Sequence, residues 1–312
     1  MSWLVTGASG YIGQHVVQQL LLNGFEAVGI DSKPLWSGSP LIEKFTNYIG
    51  NICDLDFISG ILETNAVTGV INLAALKSVE ESMASPDLYE KVNYSGVQNL
   101  LSASKSAGVN YFIQSSTAAV YGASEDGYVD ELSPTNPISP YGETKLKAEG
   151  ALSEAMNMGT LRGTSLRYFN VIGSARPALK DTSTANIVPM VLSALAKNQS
   201  PKIFGDDYST PDGTCVRDYV HVMDIAQAHV LAAQALISRA LPSAINIGTG
   251  KGYSVREMIH EILKQKGSSL VPEVLPRRPG DPSMLVARVD LAAQVLGFRA
   301  EKGLEEMIAS AI

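Results

Sequence analysis

The sequence predicts an α/β fold, a doubly wound parallel sheet wrapped in helices and joined to a smaller mixed α/β domain. Three observations carry this. Short apolar runs alternate with longer amphipathic segments through the first half. A glycine-rich turn stands directly between the first strand and the first helix. After Asn170 the alternation becomes irregular, punctuated by Pro177, Pro189, Pro201 and Pro211.

In order, the pattern predicts a strand over 3–6, a helix over 11–23 ended by Gly24, and a strand over 25–30. A helix near 55–64, a strand over 69–73, a helix near 85–107 and a strand over 111–115 follow. Ser139 reads as an N-cap and Pro140 as the first turn of a helix reaching about residue 158, before a strand over 164–169. A helix over 222–237 and a strand over 244–247 repeat the first-half pattern. The domains are therefore expected to interleave: 1–170, with 220–248, for the sheet, and 171–219 with 249–312 for the smaller domain. Ser254-Val-Arg-Glu257 has the form of a capping box.

Composition narrows the function. The 312 residues are 45% hydrophobic and 18% charged, near the globular average, with no long disordered tail. Twenty-four basic against 31 acidic residues give a net charge of −7, and no basic run exceeds the pair Arg277-Arg278, so nucleic-acid and membrane partners are not expected. Two cysteines and four histidines without ligand spacing argue against a disulfide framework or a metal site. A reducing cytoplasm is the expected compartment, since neither a leader nor an 18-residue apolar stretch is visible.

Thr6-Gly-Ala-Ser-Gly-Tyr-Ile-Gly13 places glycines at 7, 10 and 13, where a sharp turn lets a pyrophosphate approach a helix N-terminus. The G-x-x-G-x-x-G spacing points to a short-chain-dehydrogenase style of Rossmann fold; a merely structural turn is the other reading of the glycines alone. Asp31, 18 residues beyond Gly13 at the end of the second strand, suits the two hydroxyls of an adenosine ribose. A carboxylate there repels an extra phosphate, so NAD is expected over NADP, with Lys33 able to offset part of that repulsion. Asp54 reads equally as an adenine contact and as an N-cap.

Tyr141 and Lys145 lie four apart on one helix face. A phenol beside an ammonium and a cationic nicotinamide can act as a base near neutrality. Twelve tyrosines make one such spacing weak by itself, but Ser115-Ser-Thr117 ends a strand two dozen residues upstream, at the edge where such sheets bind ligands. His221, within Tyr-Val-His-Val, reads as a packed side chain rather than a base.

With these segments in hand the chain resembles the extended short-chain dehydrogenase/reductases and, within them, the UDP-glucose 4-epimerases. The first half offers Thr6–Gly13, Leu73-Ala-Ala-Leu-Lys-Ser-Val79 with Glu81-Ser82, Asn93, Ser115–Thr117, Val120-Tyr-Gly122 and Tyr141-Gly-Glu-Thr-Lys145. More particular are Tyr168-Phe-Asn170, Asn186, Gly205-Asp-Asp-Tyr, Thr210-Pro-Asp-Gly-Thr, Val216-Arg-Asp-Tyr-Val-His-Val222, Asn246-Ile-Gly-Thr-Gly250 and Arg277-Arg-Pro-Gly-Asp281. The resemblance implies interconversion of UDP-glucose and UDP-galactose: bound NAD+ oxidises C4 to a 4-keto sugar while Tyr141 takes the hydroxyl proton, and hydride returns to the opposite face. It implies Tyr141, Lys145 and Thr117 as catalytic residues. It implies cofactor contacts at Gly7, Gly10, Tyr11, Ile12, Gly13, Asp31, Ile52, Asp54, Leu73, Ala74, Ala75, Lys77, Asn93, Ser115, Tyr141, Lys145 and Tyr168. Substrate contacts are implied at Lys77, Thr117, Tyr141, Asn170, Asn186, Arg217, Arg278 and Asp281. The two arginines clamp a diphosphate, and a homodimer through helices matching 85–107 and 140–158 is implied.

Two departures stand out. The segment between Asn170 and Asn186 is shorter than the family's usual loop, and Leu285 is intermediate where size influences acceptance of N-acetyl sugars. Three alternatives follow. Another UDP-sugar (glucuronate, xylose or N-acetylhexosamine) would change only the sugar pocket. A nucleotide-sugar dehydratase would carry acids where Ala118-Ala119 stand, and a non-catalytic NAD sensor would not need Tyr141, Lys145 and both arginines.

Overall fold

A computed structural model describes all residues except Ile42, Thr184 and Pro279. Pro279 of the Arg277–Asp281 motif thus lies outside the described residues. The first part of the chain runs β1 (Ser2–Thr6), α1 (Tyr11–Leu22), β2 (Glu26–Asp31), β3 (Thr46–Ile49), α2 (Leu55–Thr64), β4 (Val67–Asn72), α3 (Val79–Ala84) and α4 (Pro86–Tyr89). One π-helical turn, Glu90–Ser95, leads into α5 (Gly96–Ser106), then β5 (Tyr111–Thr117), β6 (Tyr128–Val129), α6 (Pro140–Asn157) and β7 (Arg162–Tyr168). The remainder is β8 (Asn170–Ile172), α7 (Ile187–Ala196), β9 (Lys202–Phe204), β10 (Val216–His221), α8 (Val222–Ser238), β11 (Ala244–Ile247), β12 (Gly252–Ser254), α9 (Val255–Lys266), β13 (Glu273–Leu275), β14 (Met284–Ala287), α10 (Asp290–Leu296) and α11 (Leu304–Ala311).

Seven strands form one sheet in the order β11-β7-β5-β4-β1-β2-β3, every pair parallel. Period-two alternation buries both of its faces. Trp3 and Val5 of β1, with Ile71, Ile113 and Leu166, pack against Val16, Val17 and Leu20 of α1 and Ile225 of α8. Leu4, Val70 and Phe112 face the other way, onto α2, α5 and α6 through Ile58, Leu62, Leu100 and Leu152. The strand order reverses between β1 and β4, which opens a crevice at their carboxyl ends.

A smaller sheet has the order β12-β10-β14-β6, with β8 beside β10. It borrows β6 from the first half of the chain. β9 and β13 pair separately. A second core, including Val191, Tyr219, Met258, Ile262 and Met307, joins α7, α9 and α11 to β10.

The structure departs from the sequence pattern in two instructive places. β3 reads Thr-Asn-Tyr-Ile and lies at the sheet edge half exposed, so no apolar run announces it. The expected helix near 85–107 is broken into α4, the π turn and α5. That widened turn carries Asn93 into the protein interior, a use typical of π turns at functional sites.

Candidate active site

The glycine turn is built by collisions that only glycine avoids. Gly7 has φ +68°, and a Cβ there would sit 2.9 Å from the backbone of Leu73 and Ala74, at the point where the strand order reverses. A Cβ on Gly13 would run into the Gly7 carbonyl, so α1 can begin directly against the turn. Gly10 is the N-cap and offers no side-chain hydrogen bond, and the first turn of α1 carries no acid. Its amide groups and positive dipole end are therefore available to an anion. These features fit a dinucleotide pyrophosphate. Tyr11 donates from its hydroxyl to Gly173 O at 2.5 Å, tying this helix start to the segment after β8. Ile12 is partly buried and packs on the core beneath α1.

Asp31 closes β2 beside the turn. Its carboxylate accepts from Ser9 N at 2.9 Å and Lys33 N at 3.0 Å, which fixes its orientation. Asp54 caps α2 by accepting from Phe57 N at 3.1 Å, so this structure accounts for it by capping. Ile52 is buried against Gly96.

From β4 the segment 73–77 runs past Gly7. Leu73 N donates to Thr6 O, and Ala74 N to Thr6 Oγ1 at 3.1 Å; Ala75 follows, partly buried. Asn93 grips the same segment, accepting from Leu76 N at 2.8 Å and donating to Leu76 O at 2.9 Å. Lys77 is exposed, 3.9 Å from Asp181.

α6 delivers the reactive pair. Ser139 caps it, accepting from Gly142 N at 3.2 Å, and Pro140 occupies its first turn. A Cβ on Gly142 would be 2.7 Å from Ala119 O, so glycine lets the helix start close upon the turn after β5. Lys145, only 3% exposed, donates to Ser115 O at 2.9 Å and Ser115 Oγ at 3.1 Å. Burial pulls its pKa down to about 8, and the charge of Glu149 opposes that fall. The Tyr141 phenol is pushed up by burial and drawn back by a hydrogen bond with Thr117. Phenol, ammonium and hydroxyl thus converge at the carboxyl end of β5. The arrangement can move a proton to and from a substrate oxygen.

Tyr168, opposite Thr117 in the β5–β7 register, is buried and bonds His229 Nε2 at 2.6 Å. Asn170 begins β8 exposed, opposite Tyr219 of β10. Asn186 caps α7 without a side-chain capping bond and donates instead to Asp181. Arg217 projects from β10 with Nη2 3.8 Å from Asp281. Arg278 stacks 3.8 Å over the Phe204 ring, while its neighbour Arg277 is engaged by Asp207 at 2.6 Å. Asp281 N bonds Arg278 O, so one turn brings Arg217, Arg278 and Asp281 into a single group. His221 is packed: Nδ1 accepts from Met223 N at 3.0 Å and Nε2 pairs with Ser310 Oγ at 2.9 Å.

Sequence reasoning passed over Asp181, Ser116, Glu149 and Arg167. Glu149 continues the four-residue spacing of Tyr141 and Lys145, a signal that was present; the others become neighbours only through the fold.

A nucleotide cradle at the strand-order reversal, with a tyrosine–lysine pair at the next strand ends, defines a dinucleotide-dependent enzyme of the Rossmann type. The chain belongs to the NAD dependent epimerase/dehydratase family, whose model matches residues 3–248. It is 37% identical over 313 residues to the UDP-glucose 4-epimerase of Halalkalibacterium halodurans, covering 99% of this chain and 93% of that one. It is 38% identical over 307 residues to the UDP-glucose 4-epimerase of Lacticaseibacillus casei, covering 96% and 92%. Among solved structures, the Stenotrophomonas maltophila UDP-glucose-4-epimerase with bound NAD and formylated UDP-arabinopyranose superposes with a TM-score of 0.93 at 36% identity, covering 100% of this chain and 96% of that one.

Proposed function

We propose that this protein is an NAD-dependent UDP-glucose 4-epimerase, interconverting UDP-glucose and UDP-galactose. The observation that carries the reading is the convergence of Tyr141, Lys145 and Thr117 beside a glycine cradle for a dinucleotide. NAD held by the glycine turn and Asp31 would supply a hydride acceptor and donor for the sugar C4, with no net redox change. The uncapped start of α1 holds the pyrophosphate, and Asp31 takes the adenosine ribose. Tyr141 Oη removes and later restores the proton of the 4-hydroxyl, with Thr117 sharing that bond while a 4-keto sugar exists. Lys145 supplies the positive charge that lowers the phenol and anchors the nicotinamide ribose. Arg217 and Arg278 meet the diphosphate of UDP, Asn170 and Asn186 the diphosphate or sugar, and Asp281 the uridine ribose.

In this reading 1–170 with 220–248 form the NAD domain, and 171–219 with 249–312 the UDP-sugar domain. The two cysteines are free, in keeping with a cytoplasmic enzyme of galactose metabolism; no described helix is long and apolar enough to cross a membrane. A homodimer through α5 and α6 completes the proposal, and light scattering at twice the monomer mass tests it.

The deciding experiment incubates purified protein with UDP-glucose, UDP-glucuronate, UDP-xylose and UDP-N-acetylglucosamine, without added NAD, and separates the C4 epimers. UDP-galactose from UDP-glucose is the expected product. A faster turnover of any other UDP-sugar would reassign the substrate, and no epimer at all would remove the reading.

A further inference from the structure

Beneath the reactive pair lies a buried charge network that the proton transfer itself does not use. Glu149 follows Lys145 by one helical turn, as Lys145 follows Tyr141, so all three lie on one face of α6. Glu149 makes no ion pair with Lys145; its oxygens are taken elsewhere. Oε1 accepts from Ser116 Oγ at 2.5 Å and Arg167 Nε at 2.9 Å, and Oε2 from Arg167 Nη2 at 2.6 Å. Arg167 is held in turn, donating from Nη1 to Tyr121 Oη at 2.8 Å, and that hydroxyl donates to Asn246 Oδ1 at 2.7 Å. α6, β5, β7 and β11 therefore all contribute to fixing one carboxylate.

We propose that Glu149 is a positioning residue for catalysis: clamped by Arg167 and Ser116, it is the fixed counter-charge that keeps the buried Lys145 ammonium protonated beside Tyr141. This rests on the reading of Tyr141 and Lys145 as the reactive pair. Lys145 spends its hydrogen bonds on Ser115, so a carboxylate in direct contact would drag the ammonium from its place. A carboxylate one turn away stabilises the charge through space without competing for those bonds. Arg167 and Ser116 satisfy both oxygens of this buried carboxylate. Tyr141 and Glu149 share the helix face of Lys145, Ser115 of β5 accepts its hydrogen bonds, and Arg167 of β7 reaches the same region through Glu149. Glu149 is the one negative charge among them. Its attraction opposes the burial that draws Lys145 down to about 8.

The test is the pH profile of kcat/KM for UDP-glucose. With Glu149→Gln the ammonium is lost at lower pH, so the alkaline limb should move down by about one unit, roughly a tenfold loss of activity above it. The acid limb should move down as well, because losing a negative charge nearby favours the phenolate. Glu149→Asp, which keeps the charge, should return both limbs most of the way to their wild-type positions. Glu149→Gln leaves Arg167 without its carboxylate, so Glu149→Gln with Arg167→Met is measured beside it; with the unpaired cation gone as well, the alkaline limb should still move down, but less than in the single variant. Folded variants with full NAD content and both limbs in place would overturn the proposal, and so would loss of folding in both, which would make Glu149 a tether. A wild-type protein that epimerises no UDP-sugar would instead refute the proposed function.

Discussion

At Tyr141 two environments act in opposite directions: burial raises the phenol, and Thr117 lowers it. Neither neighbour alone makes a base near neutrality. In the proposed function the further drop is assigned to Lys145, the cation that the helix spacing supplies. Tyr141→Phe removes the proton acceptor but little volume, so kcat should fall about 10²–10⁴-fold while bound NAD and nucleotide affinity persist; single-turnover assay and NAD release on denaturation check both. Arg278 is a different case. Its guanidinium rests on the Phe204 ring. Arg278→Ala should weaken UDP-sugar binding about 10–100-fold, the worth of a charge-assisted bond, with NAD content unchanged. Calorimetric titration with UDP would contradict the clamp by finding equal affinity.

Among elements, the start of α1 is the most constrained, because a helix must begin against a backbone carbonyl and still leave its amide groups free. Gly13→Val sets a side chain against Gly7 O, which is backbone and cannot swing aside. Overpacking of this kind costs about 1–3 kcal/mol of stability, and because it displaces the helix start proposed to hold the pyrophosphate, NAD affinity should drop; fluorescence titration of NAD into apoprotein measures it. The same elements show how far the sequence was readable. β1, α1, β2, β4, β5 and α6 were legible because their apolar period and caps are local. β3 was not, because its pairing with β2 supplies what its four residues lack. Nor was the π turn, which carries Asn93 onto the backbone of Leu76, 17 residues earlier in the chain. Of the site, the glycines, Asp31, Tyr141, Lys145 and Thr117 were legible from position in the βαβ pattern. Arg217, Arg278 and Asp281 were reachable only by family resemblance, since three distant segments must fold together before they share a purpose.

For the whole molecule, buried histidines set the acid limit. His229, wholly buried against Tyr168, and His221, packed on α11, are both lowered by burial to about 4. In the unfolded chain they take a proton near ~6.5. The unfolded state therefore binds more protons between these values, and stability falls as pH drops from about 6.5 through 4, by up to about 3 kcal/mol for each histidine. Asp218, Asp224 and Glu131 are raised by burial and act oppositely, gaining stability as they protonate. The expected net result is a melting temperature that declines below pH 6.5, and less steeply in His229→Gln. Thermal melts of both proteins from pH 7 to 4.5 measure this, and identical slopes would discard the histidine as cause.

The sequence by itself determined the parallel α/β sheet, the glycine turn for a dinucleotide, and the tyrosine–lysine spacing, because each arises from contacts within a few turns of chain. Only the tertiary structure decided that Asp181 reaches Lys77 and that Arg167 and Ser116 lock Glu149 on the face of α6 below Lys145. Those pairings join residues whose separation along the chain carries no periodic signal, and the free energy that selects them exists only once the intervening water has gone.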